Sequence, residues 1–124
     1  MANSIAYVAA GVVALWGVAH AIPTTAVVRG FGVVSADNRR IITQEWLAEA
    51  LTMWFIAAVV VVVTATGGHD PRLVDWVYRT AALMLGAVGA LTAFTGARTG
   101  VIWFKICPVL LTVTAALLVV ASLV

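Results

Sequence analysis

Residues 52–66 read TMWFIAAVVVVVTAT. In water, the five successive valines Val59 to Val63 would point to a strand. The apolar run is longer than that, extending from about Ile41 to Thr66 and stopping at Gly67-Gly68. About 20 mostly apolar residues suffice to cross a bilayer as a helix. A lone strand would leave its backbone groups unpaired in hydrocarbon, whereas a helix pairs its own. Length therefore decides for helix.

Three further stretches qualify in the same way: about Ser4 to Ile22, stopped by Pro23; about Val74 to Gly96; and about Gly100 to Leu123. The expected fold class is all-α, a four-transmembrane-helix antiparallel bundle, with residues 1–124 forming a single integral membrane domain. The composition agrees. Of 124 residues, 64% are apolar and 10% charged, and mean hydropathy is +1.12. A soluble domain carries about a quarter charged residues, so a soluble globular protein is excluded. The formal net charge is +2, and seven scattered basic residues do not make a nucleic-acid surface. The single cysteine, Cys107, excludes an internal disulfide, a CxxC redox motif and a thiolate metal cluster. The chain shows no internal repeat and no second domain.

Ala19-His20-Ala21 has the small-x-small form of a signal-peptide cleavage site, but no Lys or Arg precedes it, so the segment is read as a retained helix. Basic residues set the expected orientation. Arg29, Arg39 and Arg40 lie in the first loop, Arg98 and Lys105 at the third, and Arg72 and Arg79 at the second. This distribution places the first and third loops in the cytoplasm and both termini outside, in the inner (plasma) membrane of a bacterium. In the third span, Ala82, Gly86 and Ala90, and likewise Gly89, Ala93 and Ala97, repeat every four residues, a pattern that lets helices approach closely. Trp46, Trp76 and Trp103 fall near helix ends, where tryptophan anchors at the interface. The loop from Pro23 to Arg40 is too apolar for a solvated connection; it is expected to lie in the interface or fold over the bundle mouth. Ser35, Asp37 and Asn38 are candidate N-caps for the second helix.

Ionisable groups inside a membrane are costly and mark candidate sites. Glu45 and Glu49, four apart, share a face of the second helix. Glu49 sits roughly 12 Å past the expected helix start at 1.5 Å per residue. His20 shares a face with Val13, Trp16 and Gly17 on the first helix. Arg98 ends the third span and Lys105 opens the fourth. Alternating topology brings all these ends to one membrane side, so His20, Glu45, Glu49, Arg98 and Lys105 are expected to converge. Trp16 would line the wall and Trp54 the floor. The plainer alternative is a buried ion-pair network that fixes helix register, with Arg98 and Lys105 snorkelling to the interface. Pro108 interrupts the fourth helix and withdraws a donor from the Phe104 carbonyl, which would kink the chain beside Lys105. Cys107 reads as an apolar filler. At the other end Asp75 and Arg79, four apart, are expected to pair, and His69-Asp70-Pro71 reads as a turn.

No metal site is expected, since His69 has no second ligand at suitable spacing. His20 and His69 fall at opposite faces, roughly 30 Å apart, which excludes a bis-histidine haem. Nucleotide-loop and G-x-S-x-G motifs are absent from the sequence. Small drug-proton antiporters of this size centre on a carboxylate in the first span, and here that span has none. No cofactor can be assigned.

The four short spans, the Gly17-x-x-His20 pattern and the Gly96-Ala97-Arg98 turn resemble the DoxX-like group of small bacterial membrane proteins. That resemblance implies a membrane subunit or partner of redox or stress-response enzymes, sometimes with quinone-linked activity. It does not extend to the string Asp37-Asn38-Arg39-Arg40 with Glu45-Trp46 and Glu49, and it transfers no catalytic residue.

The resulting expectation is a small integral membrane protein that binds a lipophilic ligand or a membrane protein partner at a polar site in the cytoplasmic leaflet, surrounded by membrane lipids. Trp16, His20, Glu45, Glu49, Trp54, Arg98 and Lys105 are the candidate ligand-binding residues. The alternative is a membrane enzyme acting on a lipid or isoprenoid, with Glu49 as general acid or base and His20 as its partner. Homo-oligomerisation stays open.

Overall fold

The computed structural model describes residues 1–67 and 70–124. His69, and with it the expected His69-Asp70-Pro71 turn, falls outside this range in part. Among the described residues the architecture is entirely helical: α1 Ala2–Ala21, α2 Thr24–Gly30, α3 Ala36–Thr66, α4 Pro71–Phe94 and α5 Ile102–Ala121, with a 3-10 turn at Gly96–Arg98. The long helices α1, α3, α4 and α5 are each apolar and long enough to cross a membrane. This is a multi-pass, all-α bundle.

Its packing follows from one stripe per helix. The buried face of α1 is Ala6, Ala9, Ala10, Val13, Gly17 and His20, spaced three or four apart as a single helical face requires. The stripe of α3 is Ala50, Met53, Ile56, Ala57, Val60 and Thr64. That of α4 is Tyr78, Ala81, Ala82, Leu85, Gly89 and Thr92, and that of α5 is Cys107, Leu111, Thr114, Leu118 and Ala121. Outward faces carry Leu15, Phe55, Leu83, Leu91, Phe94 and Val109, all exposed, as lipid-facing positions are. Helix α1 packs between α3 and α5, and α4 packs mainly on α5.

Small residues set the close approaches. At Gly89 a Cβ would just touch Leu111 Cβ, the Pro108 carbonyl and Thr112 Oγ1, each at 3.5 Å. Ala82 of the expected repeat is also buried in the core, whereas Gly86 and Ala90 are not used this way. Ala90 is exposed, and a Cβ at Gly86 would meet nothing within 4 Å.

The second span starts earlier than expected, at Ala36 rather than Ile41, because the Ser35 hydroxyl accepts the Asn38 amide at 3.1 Å and starts the helix there. With 31 residues, α3 is about 46 Å long, more than the roughly 30 Å hydrocarbon core. Its charged first turns therefore extend past the apolar layer. The depth of Glu49 is better measured from Thr66, 17 residues away, or about 26 Å. The 23–40 connection folds into α2, which packs on α3.

At the opposite end, Asp70 caps α4 by accepting the Arg72 and Leu73 amides at 3.1 and 3.3 Å. The expected Asp75–Arg79 pair does not form. Arg79 instead donates to Ser122 Oγ (3.1 Å) and the Ser122 carbonyl (3.2 Å). The C-terminus of α5 offers free carbonyls and the negative end of the helix dipole, which suit a guanidinium. Nearby, Thr64 Oγ1 lies 2.6 Å from the Val60 carbonyl and 2.7 Å from the Tyr78 hydroxyl. A carbonyl only accepts, so Thr64 donates to Val60 and the Tyr78 hydroxyl donates to Thr64. That bond closes the α3–α4 seam at this end.

Candidate functional site

At the other end the four stripes diverge around a cavity of about 920 Å³. Each stripe leads into it. The last turns of α1 deliver Trp16 and His20, α3 delivers Glu45, Trp46, Glu49 and Thr52, α4 delivers Val88 and Thr92, the 3-10 turn delivers Gly96, and α5 delivers Trp103, Phe104 and Cys107. Val27 of α2 and Phe31 close the mouth, so the apolar first loop folds over the bundle end.

His20 is drawn inward because it occupies the next position of the small-residue face of α1. It is 8% exposed. Trp46 holds it in place. The Trp46 Nε1–H donates to the His20 carbonyl at 2.7 Å, one of the carbonyls left unpaired at a helix C-terminus. The two rings stack at 3.9 Å between centroids and 14° between planes. Phe104 meets the indole edge-on at 5.8 Å. Trp46 was expected to anchor at the interface; it packs inward because it lies one turn before Ala50 on the buried face of α3. One turn earlier on α1, Trp16 Nε1–H donates to Cys107 Sγ at 3.4 Å, tying α1 to α5.

The imidazole Nε2 of His20 lies 3.3 Å from Glu49 Oε2. The approach is close enough for an ion pair, but the alignment does not make a hydrogen bond, and Nε2 has no other partner among the described residues. An unsatisfied buried polar atom costs about 1–3 kcal/mol, and His20 Nε2 is such an atom. The Glu49 side chain is 33% exposed and looks onto the cavity. Glu45 lies further out toward the mouth.

Of the seven candidate residues, Trp16, His20, Glu45 and Glu49 line the cavity together, and Trp54, Arg98 and Lys105 do not. Trp54 packs lower, over Gly17, and its Nε1–H donates to the Ala14 carbonyl at 3.2 Å. Arg98 is exposed, with its guanidinium 5.8 Å from the Phe94 ring centroid. Lys105 is exposed, on a different face from Phe104 and Cys107. Neither base forms an ion pair among the described residues, so the expected charge-balanced cluster does not assemble. Trp46, Thr92, Phe104 and Phe31 are site residues that the sequence reading did not pick. For Trp46 the signal was present, since Trp46, Glu49 and Met53 follow helical spacing. Among the described residues, no group of three His, Cys, Asp or Glu is placed to hold a metal ion.

In comparisons with known proteins, no family model, no curated protein and no solved structure matches this chain.

Proposed function

We infer that this small multi-pass membrane protein binds a lipophilic ligand, or the apolar segment of a membrane partner, in the cavity at the His20 end. The observation that carries this reading is the pairing of a large, mainly apolar cavity with a polar corner in which the unsatisfied His20 Nε2 lies beside Glu49. Ligand sites combine apolar walls with a few placed polar groups, at volumes of about 300–1,000 Å³. Five of the seven basic residues, Arg29, Arg39, Arg40, Arg98 and Lys105, sit at this end. Their position supports a cytoplasmic face in a bacterial plasma membrane. The Gly17-x-x-His20 pattern and the Gly96-Ala97-Arg98 turn support a DoxX-like, redox- or stress-linked membrane subunit as its setting.

Glu49→Gln tests the binding role. Retention of a co-purifying lipophile is expected to fall while the helical bundle stays folded. Loss of the folded bundle would instead assign Glu49 to structural pairing.

The 3.3 Å approach of His20 to Glu49 also favours a second reading, a membrane enzyme in which this pair moves a proton on a lipid or isoprenoid. Incubating the protein with its own co-purified lipophile decides between the two. A product formed by wild type and by neither Glu49→Gln nor His20→Ala establishes catalysis, and an unchanged lipophile favours binding.

A further inference from the structure

We propose that the ligand class of this cavity is a cationic amphiphile, an ammonium- or phosphonium-type charge carried on an apolar body. The proposal rests on the binding reading above and specifies its ligand.

Charge is the first ground. Glu45 and Glu49 both line the cavity, and no Lys or Arg does. The five bases at this end, Arg29, Arg39, Arg40, Arg98 and Lys105, are all exposed and outside the lining. Arg40 pairs on the surface with Asp37 at 3.3 Å. Only His20 can offset the carboxylates, and it reaches one of them. The lining thus sets two acidic side chains against a single imidazole, with no Lys or Arg among them. An anionic head group would find two carboxylates and no counter-charge, and a neutral one would leave them unmatched.

The wall chemistry is the second ground. Trp16, Phe31, Trp46, Trp103 and Phe104 line the same cavity as the two acidic side chains. Indole and phenyl faces attract desolvated cations and also accept an apolar body. The buried, unpartnered His20 Nε2 marks this corner as one whose polar groups are not satisfied within the chain.

Depth is the third ground. Glu49 sits about 26 Å from the far end of its helix, within a hydrocarbon layer of about 30 Å. That is the level at which a cation partitioned into the leaflet, or the amine of a lipid head group, would rest.

Tetraphenylphosphonium and tetraphenylborate have the same shape and opposite charge. Equilibrium dialysis of each against the purified protein in uncharged detergent is the test. The phosphonium is expected to bind at one site per chain, about tenfold or more tighter than the borate, and Glu45→Gln and Glu49→Gln are each expected to weaken it about tenfold. Glu45 is exposed, so E45Q keeps the variant test open if E49Q does not fold, and the isostere comparison needs no variant. A phosphonium that displaces an aminophospholipid one for one identifies a lipid as the natural cation. Binding without lipid displacement identifies a free hydrophobic cation. Both results uphold the proposal. Saturable binding of the borate at equal or higher affinity overturns it but leaves the cavity a ligand site. So does phosphonium binding that is unchanged in the double variant. If neither probe binds and no lipophile co-purifies, both the proposal and the binding reading fall.

Discussion

Trp46 grips His20 in two ways. Its indole N–H donates to the His20 carbonyl at 2.7 Å, and its ring lies flat on the imidazole at 3.9 Å. The first contact fixes where α1 ends relative to α3, and the second fixes the plane of the imidazole whose Nε2 faces Glu49. The two contacts separate by substitution. Trp46→Phe keeps a stacking ring and drops the bond, an expected loss of about 1 kcal/mol. Trp46→Ala drops both and is expected to cost about 3 kcal/mol or more. Thermal unfolding in detergent should rank wild type above W46F and W46F above W46A.

Gly17 lies beneath Trp54. A Cβ at this position would come within 2.7 Å of Trp54 Nε1 and 2.8 Å of Cδ1. Gly17→Ala must therefore push the indole away and break its bond to the Ala14 carbonyl. The expected cost is about 1–3 kcal/mol. In a Trp54→Ala background the cost should fall to what remains of the tight approach to the Ala50 carbonyl at 3.3 Å, and additive effects in the double variant would refute the contact with Trp54.

Arg79 binds the C-terminus of α5 rather than Asp75. Arg79→Ala is expected to lower stability by about 1 kcal/mol or more, because it removes two charge-assisted bonds to Ser122. Asp75→Asn should leave the unfolding midpoint close to wild type. Equal losses in both variants would restore the Asp75–Arg79 pair.

Tyr78→Phe removes one buried hydrogen bond at the end of the bundle away from the cavity. An expected loss of about 0.5–1.5 kcal/mol should leave ligand retention unchanged. This makes Tyr78→Phe a stability-matched control for the cavity variants.

The four helices were legible from apolar length alone, and His20, Glu45 and Glu49 from the cost of charge in a membrane. Helical spacing placed Trp16 and His20 on one face, where they are. It misjudged side chains whose reach decides their partner. Arg98 and Lys105 stand on the correct end of the bundle, yet long flexible stems let them point outward, where a charge is cheaper to keep. Arg79 likewise passed over a neighbour in its own helix for the hydroxyl and carbonyl of Ser122 at the end of another. Trp46 was assigned to the interface because tryptophan at a helix end often lies there; only the packed α1–α3 pair reveals a carbonyl and an imidazole within its reach. Hydropathy marked α3 only from Ile41, whereas the candidate cap Ser35 correctly marked its start at Ala36.

The most direct test is native mass spectrometry of the protein extracted from its membrane in uncharged detergent. One co-released lipophilic molecule per chain is expected for wild type and for Tyr78→Phe. It should be depleted in Glu49→Gln samples whose helical content and unfolding midpoint match the control. A bare wild-type chain, or a lipophile retained equally by Glu49→Gln and His20→Ala, would contradict a ligand site at the His20–Glu49 corner.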